Sequence, residues 1–238
     1  MSYRAGSQFG ATHAECIFVS APNTTFLKSK IEKTRNLISQ QGRDPSGVKF
    51  FLSFTPILAA TNEEAQHKLA QLQEYSIPEG SLAKFAAITG INLSNFGLDD
   101  ELPTGTDDPR LAGFSEKQKE ILIARPQGYE RWTPRIFSQW SSIGGSGPIA
   151  VGTGPVVAGE LERWIYEADV DGFNLGHVAV PQSWEDIVTF LIPELRERGW
   201  LGADKYAVPG GTLRENLRGL RGNGKIDHTH PATNYKFR

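Results

Sequence analysis

The stretch Val170-Asp-Gly-Phe-Asn-Leu-Gly176 constrains this chain more than any other, because of what lies on either side of it. Val170, Phe173 and Leu175 are apolar, and Gly172 and Gly176 bracket the run, which predicts a short buried strand bounded by turns. Upstream, Val157, Leu161, Trp164, Ile165 and Ala168 recur at helical spacing and mark one apolar face. Downstream, Ser183-Trp-Glu-Asp186 has the form of a capping box, and Trp184, Ile187, Val188, Leu191, Ile192 and Leu195 carry a helical period onward. Helix, apolar strand, helix is the alternation that builds parallel sheets and barrels.

The first part of the chain repeats that grammar. Residues 15–20 read as a strand broken by Ala21-Pro22-Asn23, and Leu27, Ile31, Thr34, Leu37 and Ile38 mark a helix ended by Gly42-Arg-Asp-Pro45. Residues 48–57 form a continuous apolar run, as expected of a strand buried on both faces, with Pro56 predicting that pairing stops near it. Thr61-Asn-Glu-Glu64 is a second capping-box signature, and Ala65, Leu69 and Leu72 supply the buried face of the helix it opens. One more strand is expected at Ile149-Ala-Val151.

Residues 76–148 read differently, as an insertion punctuated by Gly, Pro, Ser and Asp. Within it, Leu98 to Pro109 is expected to be an exposed loop. Ser115 to Ala124 and Pro134 to Ile143 are expected to be helices, the second capped by Thr133, and Ser141 to Pro148 a flexible connection. Residues 203–238 are rich in Gly and Arg and predict an extended arm, with Tyr206, Tyr235 and Phe237 as its anchors.

Charge and cysteine content exclude several classes. A formal charge of −2 offers no attraction to nucleic acid or to an anionic membrane surface. No apolar stretch approaches the ~20 residues of a membrane-spanning helix, and the amino terminus lacks a signal-peptide core, so a cytoplasmic location is expected. The lone Cys16 sits in an apolar run, reads as a small buried hydrophobe and permits no disulfide framework. Asp227-His-Thr-His230 holds metal-ligand residue types at a spacing that matches no standard site, so no metal is expected.

Several words of this sequence are specific enough to point to a family. Val151-Gly-Thr153, Glu160-Leu161, Ala168-Asp-Val-Asp-Gly-Phe-Asn-Leu175, Pro193-Glu-Leu195, Arg198-Gly199 and Gly211-Thr-Leu-Arg-Glu-Asn-Leu217 resemble the carboxyl end of the flavin-dependent monooxygenases of the nitrilotriacetate monooxygenase type, within the bacterial luciferase-like superfamily. A shorter match lies at Ala5-Gly6, Phe9 and His13-Ala-Glu15. After Gly152-Thr153 the family pattern has Pro and an acidic residue where this chain has Gly154-Pro155, and Gly159 falls inside the following helix.

The resemblance implies an α/β fold, here a partial (β/α)8 TIM barrel made of the carboxyl-terminal three or so βα units and a helical insertion. A complete barrel takes about 250 residues before insertions. The five earlier strands have no counterpart, so residues 1–238 are expected to form a single incomplete barrel domain with free strand edges that favour a homo-oligomer. It also implies reduced FMN supplied by a separate flavin reductase, with one oxygen atom passed to a small-molecule substrate. Ser2, with the amides near Tyr3 and Arg4, is the expected phosphate seat, a frayed terminus being the alternative. Function is expected at the strand ends, namely Ser20, Thr55 and residues 174–177. Asn174 and His177 are the candidate catalytic groups, against a buried structural amide and a surface histidine. The competing reading is a non-catalytic barrel fragment or oligomerisation module.

Overall fold

The computed structural model describes residues 4–126, 128–144, 147–201, 206–226, 228 and 230–235. A four-stranded parallel sheet runs through it, built around β2 (Lys49–Leu58). β1 (Cys16–Val19) pairs with Lys49 to Leu52, β4 (Gly172–Leu175) with Phe51 to Phe54, and β3 (Ile149–Gly152) with Thr55 to Leu58. Helices α2 (Thr24–Gln40) and α7 (Gly154–Ala168) link these strands.

Hydrogen-bond parity assigns the edges. The amides of Lys49 and Thr55 bond to the carbonyls of Glu15 and Pro148, whereas the carbonyls of Phe50 and Phe54 accept from Asp171 and Gly176. Successive residues of a strand point their backbone groups to opposite edges, so β1 and then β3 occupy one edge of β2 and β4 occupies the other. Pro56 therefore acts on one edge only. Its missing amide faces the side where β4 has ended, while the other side passes from β1 to β3 without interruption. The expectation that pairing stops near Pro56 therefore holds on the β4 edge and is corrected on the β1 and β3 edge.

One face of the sheet carries the main core. Ile17, Val19, Phe50, Leu52 and Phe54 pack against Leu27, Ile31 and Ile38 of α2, against Val157, Leu161 and Trp164 of α7, and against Ile187, Leu191 and Leu195. Each such side chain, fully buried, contributes about 1.5–3 kcal/mol. The last three belong to one continuous helix, residues 182–197, in which Ile187–Leu191 form a π turn between α8 (Gln182–Asp186) and α9 (Ile192–Glu197). Pro193 lies just past that turn. A proline ring clashes with the carbonyl four residues earlier, and the wider π spacing relieves the clash. Trp184 and Val188 are exposed, so they fall off the buried stripe on which the periodicity had placed them.

Ser183 does not cap this helix. Its hydroxyl accepts from the amides of Val178 and Ala179, folding the preceding loop back on itself. The other predicted caps are present: Thr61 and Glu64 form a reciprocal capping box on α3 (Asn62–Glu74), and Thr133 accepts from the Ile136 amide at the start of α6 (Pro134–Ser142).

Between α3 and β3 the chain builds a second apolar cluster. It joins α4 (Pro78–Thr89), α5 (Glu116–Ile123) and α6 through Phe85, Ile91, Leu102, Leu111, Trp132 and Phe137. The segment expected as an exposed loop, Leu98 to Pro109, has no regular structure yet is tied in. Leu102 is 1 % exposed with its amide on the Trp132 carbonyl, and the Arg135 amide bonds to Leu98.

The carboxyl-terminal residues are held by charge. Tyr206 and Tyr235, expected as anchors, are exposed, and Phe237 lies outside the described residues. α10 (Leu213–Arg218) instead sends Arg214 onto Glu15. His230 is buried with Nε2 on the His13 carbonyl and Nδ1 accepting from Ala232, so both ring nitrogens are engaged. Asp227 lies outside the described residues. Among the described residues no helix is long and apolar enough to cross a membrane.

Candidate functional site

The face of the sheet opposite the helices is where the strand ends present polar groups. Because side chains alternate along a strand, Phe18, Phe51 and Gly172 share one level of this face, set by the pairs Phe18↔Phe51 and Phe51↔Gly172. The two rings lie 6.1 Å apart, and a side chain at Gly172 would displace the Phe51 ring that packs over it. One level nearer the carboxyl ends, Ser53 stands opposite Asn174, with Ser20 following β1. The next level holds Thr55, 2 % exposed, whose hydroxyl oxygen would lie 2.8 Å from a Cβ at Gly176. The face thus grades from aromatic, through hydroxyl and amide, to a covered threonine.

The cover is the connection into β3. A Cβ at Gly144 would stand 2.6 Å from Thr55 Oγ1, and one at Gly147 would collide with the Ser53 carbonyl. Gly144 also has a left-handed backbone, at φ 78. The residues read as a flexible connection therefore cross the sheet at close range on glycines; Gly145 and Ser146 lie outside the described residues.

Asn174 is exposed and not the buried structural amide of the alternative reading. His177 is exposed as well, in the loop after β4, with its ring 5.3 Å from that of Trp184. Lys68 fixes the position of that loop's helix. Its ammonium donates to the Leu58 carbonyl at 2.7 Å and to Asp186 Oδ2 at 2.6 Å, joining the end of β2 to α8. The expected phosphate seat cannot be placed: Ser2 and Tyr3 lie outside the described residues, as does the side chain of Arg4, whose backbone opens α1 (Arg4–His13). Ser53 and Phe51 were not singled out from sequence, since the continuous apolar run around them conceals which parity faces which side.

Cys16 is half-buried. Burial pushes its thiol above the ordinary range, and the neighbouring carboxylates of Glu15 and Asp171 add to this, which disfavours a reactive thiolate. Neither of two surface grooves, one along β3 and α7 and one on α3, takes in Asn174 or His177. What the arrangement offers is a partly open wall, with Asn174 exposed and Ser53 half-buried, one level from two aromatic rings. It is an α/β arrangement with polar groups at the carboxyl ends of parallel strands, the end at which barrels of such strands carry their sites.

Comparison with known proteins agrees. No family model matches the chain. The dimethyl-sulfide monooxygenase of Hyphomicrobium sulfonivorans is 33% identical over 231 residues, which is 97% of this chain and 46% of that protein. The crystal structure of DmoA from the same organism superposes with a TM-score of 0.78 at 33% identity, covering 99% of this chain and 47% of that one. That of the riboflavin lyase RcaE, with modified FMN and riboflavin, gives 0.76 at 28% identity, covering 100% of this chain and 50% of that one. Over nearly its whole length the chain is similar to luciferase-like flavin monooxygenases, of the type that includes nitrilotriacetate monooxygenase. It spans about half the length of the curated relatives it matches.

Proposed function

We propose that this chain forms part of a two-component monooxygenase, folded as the carboxyl-terminal portion of a (β/α)8 barrel, in which reduced FMN comes from a separate flavin reductase. The observation that carries this reading is the cross-strand pair Ser53 and Asn174, with Phe18 and Phe51 one level below, on the open face of the sheet. These residues fit one wall of a flavin site. The aromatic level offers contact to a planar ring system, and the hydroxyl and amide groups can both donate to and accept from its polar edge. The homologues bear monooxygenase names, and RcaE was solved with a modified FMN, which supports a flavin as the ligand.

The cofactor would supply two electrons that activate dioxygen, one oxygen atom going to a small organic substrate and the other to water. The residues of this chain orient and exclude. Asn174 and Ser53 would hold the ring edge and His177 and Trp184 would border the mouth, while the Lys68 to Asp186 ion pair keeps the 182–197 helix in place. A cytoplasmic location agrees with the supply of reduced flavin by a partner enzyme. Titration of the chain with FMN, followed by flavin fluorescence, tests the reading. Saturable binding at micromolar concentration that weakens in Asn174→Ala is expected, and binding that never saturates removes flavin chemistry from this chain.

A second reading, a non-catalytic barrel fragment or oligomerisation module, draws on the exposure of Phe18. It predicts self-association with no flavin dependence.

A further inference from the structure

The two ends of the sheet differ in charge. At the amino end an ionised side chain precedes or opens each of the side-by-side strands: Glu15 before β1, Lys49 at the start of β2 and Asp171 before β4. Each is paired, Glu15 with Arg214 at 2.7 Å and Lys49 with Asp171 at 3.0 Å. The carboxyl end is different. Residues 16–27, 50–62, 136–159 and 172–184 carry β1, β2, β3 and β4 to that end, together with the turns that follow them and the glycine connection that crosses the sheet. None of the four stretches contains a Lys, Arg, Asp or Glu.

The chain as a whole is 22% charged, so stretches of 12 to 24 residues would ordinarily carry several charges each. Burial within a parallel sheet accounts for their absence from the strands. It does not account for residues 20–23, 59–61, 143–148 and 176–181, which are connections, where charged side chains are usual. The polar groups at this end are instead hydroxyls, amides and one imidazole, from Ser20, Ser53, Thr55, Asn174 and His177. Lys68 reaches the end of β2 from α3, and Asp186, 2.6 Å from its ammonium, cancels its charge.

An ion moved from water onto a partly enclosed wall loses solvation that a fixed counter-charge must return. Here a carboxylate would meet no Lys or Arg, and an ammonium no carboxylate. An uncharged molecule keeps the gain from covering Phe18 and Phe51 and can hydrogen-bond to Ser53 and Asn174. We infer that the substrate held at this wall is a small uncharged organic molecule, carboxylates and cations being rejected for want of a counter-charge. The inference rests on the reading of this face as the wall of the ligand site and adds the charge class of the substrate to it.

Three probes of one shape separate the charge classes: benzamide is neutral, benzoate anionic and benzamidine cationic. Each is titrated into the full chain at about pH 8, where the last two are ionised, without flavin, and followed by NMR at the His177 ring. Benzamide should shift that resonance saturably and bind about tenfold more tightly than either ion. Asn174→Lys should raise benzoate affinity about fivefold, whereas Tyr166→Lys, at a side chain 75% exposed on α7, should not. The inference is overturned by benzoate or benzamidine binding as tightly as benzamide, by a His177 ring that no probe shifts, or by a benzoate affinity indifferent to Asn174→Lys. Should that variant fail to fold, the ranking of the three probes on the unsubstituted chain decides. A chain that sorts the probes by charge but never saturates with FMN loses the flavin reading alone. One that binds FMN yet takes benzoate as readily as benzamide loses this inference alone.

Discussion

Arg214 grips Glu15 with two nitrogens, Nε at 2.7 Å and Nη2 at 3.0 Å, across 199 residues of sequence. Arg218 adds a third contact to the same carboxylate at 3.3 Å. Glu15 immediately precedes β1, and its backbone carbonyl receives the Lys49 amide. The ion pair therefore ties the carboxyl-terminal segment to the first rung of the sheet. The hydrogen bond from Arg214 holds the Glu15 carboxyl below the usual carboxylate range, against the opposing effect of burial.

A lowered carboxylate pKa gives stability that is present above the ordinary value near 4.5 and lost as pH falls through the depressed one. Glu15→Gln should cost about 1 kcal/mol at neutral pH, the scale of a partly exposed bidentate pair. Melting curves of the two proteins, taken from about pH 6 to about pH 3, should converge on the acid side. Limited proteolysis at neutral pH should cleave beyond residue 206 faster in the variant.

Two glycines of α7 should respond in opposite directions. A Cβ at Gly154 would collide with the Phe190 carbonyl on the 182–197 helix, so Gly154→Ala should destabilise by about 1–3 kcal/mol. Gly159, in the interior of the same helix, has nothing within 4 Å of a built Cβ. Gly159→Ala should therefore stabilise by about 0.5–1 kcal/mol through helix propensity and reduced unfolded-state entropy. Urea denaturation with equal slopes would read both, and a neutral Gly154→Ala would contradict the close helix contact.

The second apolar cluster should lose stability independently of the sheet. Trp132 is 1% exposed and makes edge contacts with Phe137 and Trp140 at centroid distances of 5.7 and 6.0 Å. Trp132→Ala should cost about 3–5 kcal/mol within that cluster. Hydrogen exchange should speed up in α4 and α6 while amides of β2 keep their protection. Uniform loss across both would show the two clusters to be one cooperative unit.

Asn174→Ala separates binding from folding. The side chain is exposed, so its removal should leave the thermal midpoint unchanged. If it bonds to the flavin edge, the loss of one such hydrogen bond should raise the FMN dissociation constant by up to about tenfold.

The sequence by itself determined the kind and order of the elements around the sheet, though not the helices α1, α4 and α10. The helical period of Val157, Leu161, Trp164 and Ala168 is the buried face of α7, and Thr61 and Thr133 stand where their caps were read. These are local properties, set by spacing and by side chains three or four residues apart. Tertiary structure decided the rest. Phe50, Phe51 and Leu52 follow one another without alternation, so only pairing with three different strands showed that Phe50 faces the helices and Phe51 the open side. Ser183 has the spacing of a cap, yet loop amides compete for its hydroxyl and win. The Glu15 to Arg214 pair joins residues that no local period relates, because contacts formed by chain crossings depend on where the strands are laid down and not on any repeat along them.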